Sequence, residues 1–385
     1  MRKYAIIFLT LGLFLAGKTL AAPSISNVSG TIGDGQSVSI GGSGFGTKSQ
    51  AAPFRSSYDN PNSVMNFQES GIFGGGWGVS GPSVIKLQND FKRLTNRYYV
   101  RMEYSANGNW GTEGYGAGVQ TNLPMTKVDY WAWWDYLEPD FDASHMLTGS
   151  ANFKYIYAAP GRSFHDALQV SGGGTEIDGS GNILGDTTAE QKAYLDCPHF
   201  SCYFYSILMW RARYSLPKGE WYFVEVMYKL NSQYGVYDGW IELKVNNQRI
   251  YRADKVDFYD SELENGLDFE YLRLGGNYGF DSSGEVMYRY YGDIYIDGTL
   301  ARIYIGDSQD YSACKHLELQ VPKTWTNNSI SFTFNQGSFN SGDTAYLFVV
   351  DKDGNASGGK QITIGGGSSG GDIIAPSVPS GLTVK

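Results

Sequence analysis

The stretch that most constrains the fold is residues 219–258, GEWYFVEVMYKLNSQYGVYDGWIELKVNNQRIYRADKVDF. Within it Tyr222, Val224, Val226, Tyr228 and Leu230 alternate with Phe223, Glu225, Met227 and Lys229. A two-residue period of this kind marks a strand with one face on a core. Asp238-Gly239 then supplies a reversal, Ile241, Leu243 and Val245 alternate with Trp240, Glu242 and Lys244, and Asn246-Asn247 turns the chain into Ile250. Apolar alternation broken by such turn residues predicts an antiparallel meander, sheet rather than helix.

The same rhythm resembles the concanavalin A-like jelly-roll sandwiches, a group that includes legume-type lectins, laminin G-like modules, alginate and heparinase-like lyases and many carbohydrate-binding modules. Trp221, Glu225, Lys229, Asn231, Asp238, Gly239 and Asn246 carry the resemblance in the meander, and Asp293, Tyr295, Asp297, Gly298, Ala301 and Gly306 carry it at the domain's close. A second resemblance starts upstream. Pro23, Ile25, Val28, Val38, Ile40, Gly42, Gly44, Phe45 and Gly46 look like the opening of an IPT/TIG domain, a small immunoglobulin-like sandwich. Its continuation is matched near the other end by LELQVP, SISFTF, TAYLFVVD and KQITI between 317 and 364, with a turn at Asp353-Gly354.

These features predict an all-β chain: a concanavalin A-like antiparallel β-sandwich (jelly roll) inserted into a small immunoglobulin-like sandwich. The expected division is a signal peptide over 1–22, the first part of the IPT/TIG-like sandwich over 23–50, the jelly-roll domain over 51–308 and the second part of the small sandwich over 309–365. A Gly/Ser linker and the start of a fibronectin type III-like segment occupy 366–385. Insertion into a loop is tolerated because domain termini often lie close together at the surface.

The first 22 residues have Arg2 and Lys3, then an apolar run, then small residues, which predicts export through a Sec signal. No other apolar run is long enough to span a bilayer. Losing the signal removes Arg2, Lys3 and Lys18 and no acidic residue, so a net charge of −9 falls to −12. That argues against nucleic acid or an anionic membrane as the main partner, since both require a broad basic face. Export also bears on Cys197, Cys202 and Cys314, because an oxidising compartment permits one disulfide. The spacing Cys197-Pro-His199-Phe-Ser-Cys202 suits a hairpin-closing disulfide better than a metal site, which would need a second pair of ligands.

Strand alternation also nominates a binding face. Arg97, Tyr99, Arg101 and Glu103 share one side of a predicted strand, as do Lys127, Asp129, Trp131, Trp133 and Asp135; Asn152, Lys154 and Ile156; and Tyr203, Tyr205, Arg211 and Arg213. Aromatic rings offer apolar surfaces to the C–H faces of sugars while charged groups satisfy hydroxyls. The glycan-binding candidates are therefore Arg97, Tyr99, Arg101, Glu103, Trp131, Trp133, Lys154, Arg211 and Arg213. An ordinary solvated sheet face would show the same alternation.

What the jelly-roll resemblance implies about function is recognition of an extracellular or cell-surface polysaccharide through the concave sheet. A polysaccharide lyase acting on an acidic glycan by β-elimination is the alternative, and an adhesive or structural surface module is a third. A lyase needs a cation to neutralise a uronate carboxylate and a base for its C5 proton. Arg101, Lys154, Tyr155, Tyr157 and His165 supply those types, while the alginate-lyase pattern is met only by Arg101-Met-Glu103. The paired carboxylates of a retaining glycosidase are missing, with Asp268-Phe-Glu270 the nearest approach. Catalysis itself is left open, and no cofactor is expected beyond a structural calcium, which the family's habit of tying chain ends together would place at Asp59 with Asp293 or Asp297.

Overall fold

The computed structural model describes residues 22–56, 68–69, 85–88, 93–94, 99–105, 119–122, 126–141, 153–159, 168–172, 217–230, 232–233, 236–256, 271–274 and 286–366. Apart from a single 3-10 turn at Tyr311–Ala313, the regular structure among these residues is antiparallel sheet.

A seven-stranded sheet, numbered along the chain, runs β1 (Ser24–Gly30), β2 (Ser37–Ser43), β18 (Ser329–Thr333), β17 (Leu317–Trp325), β16 (Arg302–Gly306), β19 (Thr344–Val350), β20 (Lys360–Thr363). Strands from 24–43 and from 302–363 thus share one sheet, joined where β2 pairs with β18 and Ile40 lies opposite Ile330. Val38, Ile40, Phe45, Ile303, Ile305, Ile330, Phe332, Leu347, Val349 and Ile364 form its first core. The glycine-rich turn after β2 serves that core. A Cβ on Gly42 would lie 2.5 Å from the Phe45 ring, so only glycine lets that ring fold back and become fully buried.

Between these end segments the chain builds two further sheets. The larger runs β13 (Gln248–Val256), β12 (Gly239–Val245), β11 (Trp221–Lys229), β8 (Val128–Leu137), β15 (Val286–Asp297), β6 (Tyr99–Ser105), β5 (Ile85–Gln88), with β3 (Arg55–Ser56) pairing on β15. The smaller runs β10 (Leu168–Gly172), β9 (Phe153–Ala159), β14 (Tyr271–Leu274), β7 (Val119–Asn122), β4 (Gln68–Glu69). This is the antiparallel sandwich arrangement the alternation predicts. The Asn246-Asn247 turn has φ of 47° and 61°, the left-handed pair that joins right-twisting strands tightly. Asp238 works differently from the expected two-residue reversal, because its carboxylate accepts from the Ser232 amide at 2.7 Å and organises a longer loop.

After β15 ends at Asp297, β16 crosses into the seven-stranded sheet. One sequence expectation changes, that of β11, whose Phe223, Glu225 and Met227 face reads as open. Both faces are buried, since the seven-stranded sheet covers that side. Tyr130, Ala132, Trp134, Phe223, Met227 and Tyr295 pack there against Tyr304, Leu317, Leu319, Val321, Phe348 and Val350. Glu225 is tolerated in this second core because Tyr130 and Tyr304 donate to it at 3.0 and 2.5 Å and Arg302 stands 3.7 Å away.

Candidate functional site

Sheet register decides which candidates can act together, because directly opposed residues of antiparallel strands project on the same side. Arg101 lies opposite Tyr290, Tyr290 opposite Tyr136, and Tyr136 opposite Trp221. This row across four strands belongs to the face that also carries Trp134 and Phe223. Trp131 and Trp133 alternate with those residues and so lie on the opposite face. The single glycan surface expected from Arg101 with Trp131 and Trp133 is therefore split between two sides of one sheet.

The Arg101 face is largely covered by the seven-stranded sheet, and the Arg101 row keeps only partial contact with solvent. Tyr136 and Tyr290 are 9% and 6% exposed, whereas Arg101, Glu138, Trp221 and Tyr288 are half-buried. The guanidinium of Arg101 sits 4.6 Å from the Tyr288 ring centre, a cation–π contact. The Tyr136 ring meets Tyr290 edge-on at 5.8 Å and Trp221 at 5.4 Å. The Tyr290 hydroxyl donates to Glu138 Oε1 at 3.1 Å. Burial and the neighbouring Glu138 charge push the Tyr290 phenol upward, so it keeps its proton. Burial also raises the Glu138 carboxyl, partly offset by the Tyr290 hydrogen bond and the Arg101 charge. The result is an aromatic platform carrying one cation, one carboxylate and one phenolic donor.

On the other side of β8 the polar groups are closed off. Trp131, Trp133, Asp129 and Asp135 are all 0% exposed, which corrects the expectation that the two tryptophans present rings to a ligand. Asp135 accepts from Arg289 Nε at 2.9 Å, again from Arg289 Nη2, and from Trp133 Nε1 at 3.1 Å. Asp129 accepts from Thr126 and Tyr228. Desolvation works against the Arg289 charge, but Asp135 outweighs it and the guanidinium is held above its ordinary pKa. Such a matched pair ties β8 to β15.

The calcium candidates are likewise engaged by protein nitrogen donors. Arg93 donates to Asp293 at 2.7 Å, and Lys48 approaches Asp297 to 2.5 Å. Both side chains thus have a partner within the protein, a correction to their reading as calcium ligands. Among the described residues no group of three or more His, Cys, Asp or Glu side chains could hold a metal ion.

For other candidates only strand positions are defined. Tyr99 lies opposite Gln88, Glu103 opposite Tyr288, Lys154 opposite Ser171 and Tyr157 opposite Gln169, while Tyr155 falls at the irregularity between β9 and β10. Asp59, Arg97, His165, Cys197, Cys202, Arg211 and Arg213 lie outside the described residues. Sequence reading missed Tyr290, Tyr136, Trp221 and Glu138. The available signal was Tyr288-Arg289-Tyr290-Tyr291, whose alternation sets Tyr288 and Tyr290 on one side of β15 and Arg289 and Tyr291 on the other.

No family model matches the chain, and no curated protein does. Solved structures do match in part. The endo-β-1,4-glucuronan lyase of the fungus Trichoderma reesei aligns at 12% identity over 58% of this chain and 90% of its own, with a TM-score of 0.37. The alginate lyase of Aplysia kurodai aligns at 14% identity over 55% and 86%, TM-score 0.37. Alginate lyase vAL-1 from Chlorella virus aligns at 14% over 58% and 93%, TM-score 0.35. At these values the likeness transfers no residue role to this chain. No helix among the described residues is long and apolar enough to cross a membrane.

Proposed function

We propose that this chain is an exported polysaccharide-binding protein whose ligand lies along the row Arg101, Tyr290, Tyr136 and Trp221. The observation that carries the reading is the half-buried state of Arg101, Tyr288, Trp221 and Glu138 around the buried rings of Tyr136 and Tyr290: the partly open Trp221 and Tyr288 rings suit sugar C–H faces and stand with a guanidinium and a carboxylate. Arg101 favours a glycan bearing carboxylate or sulfate groups, through charge-assisted hydrogen bonds. A panel of immobilised neutral and acidic glycans tests it. Binding to acidic members is expected, and absence of binding to every member at high protein concentration contradicts it.

A polysaccharide lyase is the second reading, supported by Arg101 beside a Tyr290 hydroxyl that already donates to Glu138. There Arg101 would neutralise a uronate carboxylate, and Tyr290 would take the C5 proton as its own passes to Glu138. Incubation with alginate, pectate, glucuronan and heparin-type polymers separates the two readings. Growth of the unsaturated uronide's ultraviolet absorbance marks a lyase, and a flat trace with binding retained marks a binding protein.

A further inference from the structure

Where the chain leaves the seven-stranded sheet after β2 and returns to it after β15, Lys48 and Asp297 meet. Lys48 Nζ stands 2.5 Å from Asp297 Oδ2, with side-chain exposures of 0% and 3%. The fully buried Tyr295 donates its hydroxyl to the same oxygen at 2.8 Å. Lys48 Nζ also donates to the Ala301 carbonyl at 3.3 Å, and the Trp325 ring centre lies 5.1 Å away. An amine, a carboxyl group and a phenolic donor thus converge in a site from which water is excluded.

Burial lowers the Lys48 ammonium and raises the Asp297 carboxyl, in both cases against their mutual attraction. Both effects favour passing the proton across the contact, leaving a neutral amine facing a carboxylic acid. A neutral amine is a nucleophile, and fixed proximity replaces the encounter that slows amide formation in water. Exclusion of water also opposes hydrolysis of the product.

We propose that Lys48 and Asp297 join in a self-formed isopeptide bond. Nζ attacks Cγ of Asp297, the Tyr295 hydroxyl supports the carboxyl oxygen through the tetrahedral stage, and the C–O bond breaks as the C–N bond forms. One hydrogen from Nζ and the hydroxyl of the acid leave together as water, so the step balances with no oxidant or added reactant. The product closes a covalent loop across 249 residues at the point where the inserted strands meet the small sandwich. A crosslink there removes conformations from the unfolded chain, as a disulfide does.

Intact mass spectrometry of the folded, purified full chain tests this after denaturation, with the N-terminus determined separately. The expected mass is short of the sequence value by one water, and digestion yields a branched peptide joining the Lys48 and Asp297 segments. K48R and D297A should each show full mass, and Y295F should lose water more slowly. Full mass in wild-type protein held folded to equilibrium overturns the proposal even if no variant folds. A water deficit without the branched peptide overturns it equally.

Discussion

Arg93 shows how single residues hold the two layers together. Its guanidinium stacks on Trp134 at 3.9 Å, binds both oxygens of Glu318 at 2.6 and 2.9 Å, and reaches Asp293 at 2.7 Å. Glu318 belongs to the seven-stranded sheet and Asp293 to the eight-stranded one, so one side chain bridges both. Desolvation alone would raise the Glu318 carboxyl, but Arg93 and His316 outweigh it and bring it to about 2, below its ordinary 4.5. A carboxyl depressed by folding contributes fully above its unfolded value and is lost as pH falls through its folded one. Denaturant titrations should therefore show stability declining between pH 4.5 and about 2, with a smaller decline in E318Q. At neutral pH E318Q should cost on the order of 3 kcal/mol, because it leaves a buried guanidinium under-matched. Equal acid sensitivity in both proteins would remove Glu318 from this role.

At the scale of elements, the meander of β11, β12 and β13 was legible because period-two alternation and Asn-Asn turn chemistry agree. Asn246 both adopts a left-handed φ of 47° and accepts the Phe223 amide through its side chain at 2.8 Å. N246A should therefore destabilise by about 1–3 kcal/mol in urea titration, whereas N246G, free of backbone strain, should cost less. Equal losses would show that strain is unimportant there. What alternation could not reveal was the relation between distant strands. Glu225 reads as a solvent residue because its cover, Tyr304, arrives 79 residues later. The faces of Arg101 and Trp133 depend on the β6–β15–β8 register. A bulge in β15 between Gly292 and Tyr295, with Asp293 at φ 47°, changes side-chain parity within that strand. Tyr290 and Tyr295 thus reach the same face despite their odd spacing, which no two-residue period foretells.

At the scale of the molecule, the seven-stranded and eight-stranded sheets share a second core, so they should not unfold separately. Fluorescence and circular dichroism should report coincident denaturation, and two resolved transitions would contradict the shared core. F223A, which opens a cavity between the layers, should lower stability by about 3–5 kcal/mol without separating the transitions. The whole chain carries a net charge of −9, yet local potential steers a ligand, and Arg101 gives the aromatic row a cation of its own. Calorimetric titration of an acidic polysaccharide into wild-type protein and R101A is the most direct test of that row as the binding site. Binding should be salt-sensitive and weaken in R101A by about 1–3 kcal/mol, with the variant's thermal midpoint little changed. Undiminished affinity in folded R101A would place the ligand elsewhere and contradict that prediction.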